Sequence, residues 1–159
     1  KSDIKEALES YKPSNNRSEI VKTKHNTILL DAYNANPTSM KAALENFDSL
    51  DSAYKTVILG DMFELGDNSA IEHQNIVDFT HNLNFDNCYF VGELFSKTNG
   101  VKQLFQTFED FSKHLSKQKI KDHFILIKGS RGMALERLLK IIDWSYFDEK
   151  QLNYLLVFE

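Results

Sequence analysis

The sequence holds a single cysteine, Cys88, so no internal disulfide can form and a reducing compartment is expected. Set in an apolar run, that thiol reads as a small core residue rather than a reactive one. No stretch approaches the roughly 18 consecutive apolar residues of a membrane span. The first residues lack a signal-peptide profile, and together these absences point to a cytoplasmic protein. Positive charge is also in short supply. Nineteen Lys and Arg face 23 Asp and Glu, a net charge of −4, which argues against nucleic acid or an anionic membrane as the main partner. An anionic ligand would need local cations to hold it.

Several motifs are missing as well. No G-x-x-x-x-G-K-[ST] phosphate loop occurs, and no G-x-G-x-x-G follows a strand. No G-x-S-x-G elbow marks a serine nucleophile. The five histidines are scattered without metal-ligand spacing. There is no internal repeat and no low-complexity segment. What remains is a chain of 159 residues, 42% hydrophobic and 26% charged, suited to one globular domain and not to disorder. It begins at Lys1 rather than methionine, and is expected to be a piece of a longer protein.

The most informative stretch is Asp31-Ala32-Tyr33-Asn34-Ala35-Asn36-Pro37. Before it, Thr27-Ile28-Leu29-Leu30 has the apolar, β-branched character of a buried strand. After it, Pro37 suits a first helical position and Asn36 can cap the free N–H groups. Met40, Leu44 and Phe47 then make one apolar stripe. Glu19 to Thr23 reads as a strand antiparallel to Thr27–Leu30, turning at Lys24-His25-Asn26, which puts Arg17 and Asp31 at the same end. On spacing alone Arg17 is a solvated linker arginine. Upstream, Ile4, Ala7, Leu8 and Tyr11 suggest a short helix stopped by Pro13.

Further strands are expected at Thr56–Leu59, Cys88–Val91 and Phe124–Ile127, with a short edge strand over Val101–Phe105. Helices are expected over Ser69–Leu83, after a Thr107 cap, and from Met133 to Trp144, with a helical turn at Phe95. This alternation predicts an α/β fold: a Rossmann-like, mostly parallel sheet with helices on both faces, opened by an antiparallel N-terminal hairpin. Right-handed crossovers bring the post-strand loops to one edge, where open α/β sheets bind ligands. Four loops meet there: Asp31–Asn36, Gly60–Gly66, Gly92-Glu93 and Lys128–Gly132. In the second, Gly60 would let backbone approach a ligand closely, and Asp61 and Glu64 are candidate acids or acceptors, with an ordinary turn residue as the competing reading of Asp61. His73 reads as structural ahead of a ligand or base. Lys128-Gly129-Ser130-Arg131-Gly132 has two cations, a hydroxyl and an expected helix amino end, and suits a phosphate or carboxylate. From the residues alone, this edge binds a polar, anionic small molecule.

Three blocks carry a resemblance. D-A-Y-N-A-N-P-T-S-M-K-A-A-L (Asp31–Leu44), I-L-G-D-M-F-E-L-G (Ile58–Gly66) with His73 downstream, and I-K-G-S-R-G-M-A-L-E (Ile127–Glu136) stand in the order and spacing of the C-terminal domain of the Mur ligases. The likeness covers about Ile4 to Trp144, and its first block has the form found in the D-alanyl-D-alanine-adding member. It implies three domains in the whole enzyme: one for the UDP-sugar peptide, one holding ATP through a phosphate loop, and this one closing over both. On that reading residues 1–16 end the central ATPase domain, residues 17–144 are the C-terminal domain and residues 145–159 are a tail.

The implied activity is ATP-dependent addition of D-alanyl-D-alanine to UDP-N-acetylmuramoyl-tripeptide through an acyl phosphate, in peptidoglycan synthesis. ATP and Mg²⁺ are the implied cofactors, held mainly by the central domain, so no catalytic residue is expected here and the domain alone should be inactive. Arg17 resembles the family arginine that reaches the ATP phosphates, which reverses its reading as a linker residue. Asp31 resembles the aspartate that meets the nucleotide at the ribose, with Tyr33, Asn34 and Asn36 flanking base or sugar. Asp61, Glu64, Lys128, Ser130 and Arg131 would face the dipeptide and acyl phosphate. Of these, Lys128, Ser130 and Arg131 would take the dipeptide's carboxylate and Glu64 its ammonium. Two other readings stand beside this one: a non-catalytic small-molecule or partner-binding module, and a sister amide ligase of the same superfamily.

Overall fold

A computed structural model describes residues 18–143. Arg17, the Ile4–Tyr11 segment, Trp144 and the tail lie outside the described residues. Among the described residues six strands form one sheet: β1 (Glu19–Lys22), β2 (Thr27–Asp31), β3 (Lys55–Gly60), β4 (Asn87–Val91), β5 (Leu104–Phe105) and β6 (Phe124–Lys128). Their order is β1-β2-β6-β3-β4-β5. The β1–β2 pair is antiparallel and every other pair is parallel, as expected from the sequence. Among the described residues there are four α-helices: α1 (Pro37–Asp48), α2 (Ser69–His81), α3 (Phe108–Lys117) and α4 (Leu138–Ile142).

Strand residues alternate between two cores, because successive side chains leave opposite faces of a strand. Leu29, Val57, Leu59, Phe90, Phe124 and Leu126 join Met40, Leu44 and Phe47 of α1 and Ile76 and Val77 of α2. Ile28, Ile58, Val91, Ile125 and Ile127 join Phe111 and Leu115 of α3 and Leu138 and Ile142 of α4. A sheet covered on both faces explains why its central strands read as unbroken apolar runs. Each large aliphatic side chain so buried is worth about 1.5–3 kcal/mol of transfer free energy.

Helix starts follow local chemistry. Asn36 Oδ1 accepts from the Ser39 N–H at 2.8 Å, and Ser39 Oγ accepts from the Asn36 N–H at 3.1 Å, a reciprocal capping box ahead of Pro37. Thr107 Oγ1 accepts from the Asp110 N–H and so caps α3.

The chain after β6 departs from the expected Met133–Trp144 helix. Two 3₁₀ turns, Arg131–Met133 and Leu135–Arg137, come first, and α helix begins only at Leu138. Ala134 separates the turns in the left-handed region at φ 49°. The periodic burial survives, since Leu135, Leu138 and Ile142 all face the core, but three-residue turns replace a continuous helix.

At the sheet's opposite, amino-terminal edge, Asn87 Nδ2 donates to Thr56 Oγ1, which is hydrogen-bonded to His123 Nδ1 at 2.8 Å. Burial lowers the His123 pKa below its ordinary 6.5, against the opposing pull of Asp86 and Asp122. As pH falls, the unfolded chain therefore takes the proton first. The stability His123 contributes is present above about pH 6.5 and is lost as pH falls through that value toward the lower folded one. Urea midpoints are expected to drop between about pH 7 and 5, and the His123→Gln substitution should remove part of that slope.

Candidate functional site

Parallel pairing places the ends of β2, β3, β4 and β6 on one edge, and the loops there are joined by side chains whose placement the sequence could not show. Asp31 and Lys128 are register partners on adjacent strands. By alternation both face the α1 side, with Leu29 on one strand and Leu126 on the other. Lys128 is 0% and Asp31 4% exposed, and Lys128 Nζ donates to Asp31 Oδ2 at 2.7 Å. A second bond runs from Lys128 Nζ to the Asn34 carbonyl at 3.1 Å. The ammonium is thus enclosed, and it draws the Asp31–Asn36 loop onto the end of β6.

The loop after β3 is held from three sides. Asp61 Oδ2 accepts from the Leu94 N–H at 3.0 Å and Oδ1 from the Phe95 N–H at 2.9 Å. The backbone after β4 wraps this carboxylate so closely that a Cβ at Gly92 would stand 2.2 Å from Asp61 Cγ, and Gly92 sits at φ 133°. Only glycine fits there on both counts. Burial raises the Asp61 pKa, while the two N–H groups work to lower it.

His73 is fully buried and structural. Its Nε2 accepts from the Met62 N–H at 3.0 Å and its Nδ1 stands 2.7 Å from the Ser69 carbonyl. An Nε2 that accepts carries no proton, so Nδ1–H donates and the ring is neutral. The 3.9 Å approach of His73 Nε2 to Asp61 is therefore not an ion pair. Third, Ser130 Oγ accepts from the Phe63 N–H at 2.9 Å, and the Ser130 N–H donates to the Asp61 carbonyl at 3.0 Å.

Other predicted residues face outward. Arg131 and Tyr33 are exposed, the guanidinium carbon 4.9 Å from the ring centroid, a cation–π arrangement. The Asn34 side chain is exposed, as is Asn36, whose Oδ1 is engaged in capping. Glu64 is exposed at φ 65°. Gly60 serves packing: a Cβ there would lie 2.7 Å from Leu135 Cδ1. The expected helix amino end after Lys128-Gly129-Ser130 is instead a 3₁₀ turn. Burial pushes the half-buried Cys88 thiol up to about 11, which leaves it inert as a nucleophile. Among the described residues no group of three or more His, Cys, Asp or Glu converges to hold a metal ion.

A cleft of about 530 Å³ opens beside these loops, over the ends of β3, β4 and β5, and Asp61, Glu93, Phe108 and Arg137 are among its lining residues. Sequence reasoning missed Arg137 and Phe108. Arg137 falls within the expected Met133–Trp144 helix, but it stands at the end of the second 3₁₀ turn, beside the cleft.

A doubly covered parallel sheet with polar loops tied together at its carboxyl edge is the architecture of a ligand-binding α/β domain. The chain belongs to the family described as Mur ligase, glutamate ligase domain, whose model matches residues 16–143. It is similar to UDP-N-acetylmuramoyl-tripeptide–D-alanyl-D-alanine ligase of Rickettsia prowazekii, at 34% identity over 134 residues, 80% of this chain and 29% of that protein. Among solved structures, MurF from Acinetobacter baumannii superposes with a TM-score of 0.70 at 28% identity, over 90% of this chain and 33% of that one. The MurF ligase of Thermotoga maritima, solved in complex with ADP, shares the fold with a TM-score of 0.67 at 24% identity, over 85% and 32%. The chain spans about a third of the length of these relatives.

The double use of Asp61 gives a direct test of how the edge is held. Asp61→Ala leaves the Leu94 and Phe95 N–H groups without their acceptor, and is expected to cost about 3 kcal/mol, read from urea unfolding. A loss within about 0.5 kcal/mol would mean that Asp61 does not hold the two loops together.

Proposed function

We propose that this chain acts as the C-terminal domain of an ATP-dependent ligase that joins D-alanyl-D-alanine to UDP-N-acetylmuramoyl-tripeptide in peptidoglycan synthesis, in the cytoplasm. The observation that carries the reading is the 34% identity with the Rickettsia prowazekii ligase across 80% of this chain. It is supported by the polar loops at the carboxyl edge, where a second domain could meet them. In the proposed reaction the γ-phosphoryl group of ATP passes to the tripeptide's terminal carboxylate and ADP leaves. The dipeptide nitrogen then attacks the acyl carbon, phosphate departs and an amide forms. Each step needs reactants held close and in line, a contribution that a closing domain can make without supplying a nucleophile or a base.

The residues of this chain divide into two groups under the proposal. Asp31 and Lys128 neutralise each other inside the fold, so their part is to fix the loop carrying Tyr33 and Asn34. Those two side chains form the exposed surface proposed to lie along base and sugar, and Arg17 is proposed to reach the phosphates. Ser130 and Asp61 hold backbone, leaving Glu64 and Arg131 as the more accessible of the proposed dipeptide-side groups. Mg²⁺, when bound by the rest of the enzyme, would offset phosphate charge. Residues 17–144 are proposed as the domain.

The test uses the complete reading frame that contains this chain. A G-K-[ST] phosphate loop is expected upstream of Lys1, and the full product should release phosphate only when ATP, UDP-N-acetylmuramoyl-tripeptide and D-alanyl-D-alanine are all present. The 159-residue chain alone should release none. A full product that works equally well with a single amino acid in place of the dipeptide would indicate a sister ligase. The absence of a phosphate loop would indicate a binding module.

A further inference from the structure

The net charge of −4 is a sum over the chain, and the cations are unevenly placed. Residues 20–30 hold Lys22 and Lys24 and no acid, and residues 111–121 hold Lys113, Lys117, Lys119 and Lys121 and no acid. All six lysines are exposed. The fold brings these two segments together at the amino-terminal edge of the sheet. Buried Asn26 is the clasp: its Nδ2 donates to the Ile120 carbonyl at 2.9 Å, and its Oδ1 accepts from the His123 N–H at 3.0 Å. The Asp122 N–H donates to the His25 carbonyl at 2.8 Å, and the Thr27 N–H to the His123 carbonyl at 3.1 Å. These bonds set the turn between β1 and β2 against the connection from α3 to β6, and so make one basic rim from two runs of lysine.

Within the rim the acid is Asp122, which is exposed. Further along the same edge Asp86 accepts from the Lys55 N–H at 2.7 Å, and Asp48 stands 3.6 Å from Lys55 Nζ. Those carboxylates are engaged away from the six lysines. A small anion would call for a concave site with convergent groups, yet the cleft at the carboxyl edge and a second one beside β4 include none of these lysines. The two runs also lack arginine, whose planar fork suits one phosphate held in one geometry. Lysine is a hydrated point charge on a flexible stem, suited to a diffuse field of charge. Next to the rim, Tyr54 is 53% exposed with its ring stacked on His123, centroids 5.3 Å apart. A ring with an apolar body and a polar tip, beside clustered lysines, matches the chemistry of a surface that rests on lipid headgroups.

We propose that the amino-terminal edge attaches this domain to an anionic phospholipid surface, with the six lysines at the lipid phosphates and Tyr54 among the headgroups. No helix among the described residues is long and apolar enough to cross a membrane, so the contact is peripheral and reversible. Screening confines the field of a bilayer to about 8 Å at physiological salt. The bilayer then meets the basic edge alone, whereas a long nucleic acid would also run along the net negative remainder of the chain. Topology sets the orientation. The loops after β2, β3 and β6 lie at the opposite edge of the sheet and face away from the lipid. The attachment therefore stands or falls separately from the ligase reading.

The experiment sediments the 159-residue chain with vesicles of phosphatidylcholine alone and of phosphatidylcholine with about 30% phosphatidylglycerol, at low and physiological salt. The chain should partition onto the anionic vesicles, stay off the neutral ones, and come away as salt rises. Replacing Lys22 and Lys24 by glutamine, or Lys119 and Lys121 by glutamine, should weaken the partition about tenfold or more for each pair. Replacing Lys97 and Lys102, which are exposed near β5, removes the same charge at another place and should change it by less than about twofold. Urea midpoints that match the wild type show that the variants fold. No partition of the wild-type chain onto anionic vesicles at low salt overturns the proposal, as does equal binding to neutral vesicles. A control pair that weakens partition as much as the rim pairs overturns it too, because net charge and not this edge would then decide. Retention on duplex DNA or on polyglutamate at physiological salt, without vesicle binding, assigns the rim to a nucleic acid or an acidic protein and overturns the lipid.

Discussion

A lysine ammonium and an aspartate carboxylate, both out of reach of water, tie the carboxyl edge of this domain together. Lys128 and Asp31 stand 97 residues apart in sequence and opposite each other on adjacent strands. Removing two charges from water costs several kcal/mol per ion, which close geometry and further hydrogen bonds must offset. Here the separation is 2.7 Å and the Asn34 carbonyl takes a second N–H. Stability alone does not explain such a pair, since apolar residues of similar volume often serve as well. Its directional value is greater. It specifies how the loop between β2 and α1 sits on the end of β6, and the Asn36 cap then starts α1 from that fixed point.

Asp61 repeats the device one strand further along. Its carboxylate holds the turn after β4, its carbonyl accepts from the Ser130 N–H, and the adjacent Met62 N–H is held by His73. The polar residues of this edge therefore fall into two sets. Asp31, Lys128, Asp61, His73 and Ser130 point inward and frame the loops. Tyr33, Asn34, Glu64, Glu93, Arg131 and Arg137 are exposed on the outer side of the same loops. Holding functional side chains on a rigid frame lowers the entropy that binding must overcome.

Much of the frame was legible in the sequence. Unbroken apolar runs at Thr56–Leu59 and Phe124–Ile127 announced doubly covered strands, and Asn36-Pro37 announced a helix start, because those signals are local. The convergence of four loops followed from handedness alone. Within the site, legibility ended where tertiary pairing decides the outcome. A lysine after a strand reads as a free cation, and nothing within a few residues of Lys128 reveals that Asp31 will neutralise it. Gly60 reads as room for a ligand, whereas Leu135 fills that space. Ala134 is the least foreseeable case: alanine is the strongest helix former, yet here it adopts the left-handed conformation that breaks the expected helix and turns Arg137 toward the cleft.

The dependence of the edge on the Lys128–Asp31 pair is best measured by a double-mutant cycle in urea unfolding, with Lys128→Met, Asp31→Asn and the double variant. Each single change strands one buried charge and should cost about 3–5 kcal/mol. The double change removes both charges, so the combined loss should fall short of the sum by at least about 3 kcal/mol. Losses that add to within about 0.5 kcal/mol would contradict the pair as the constraint on which the site is built.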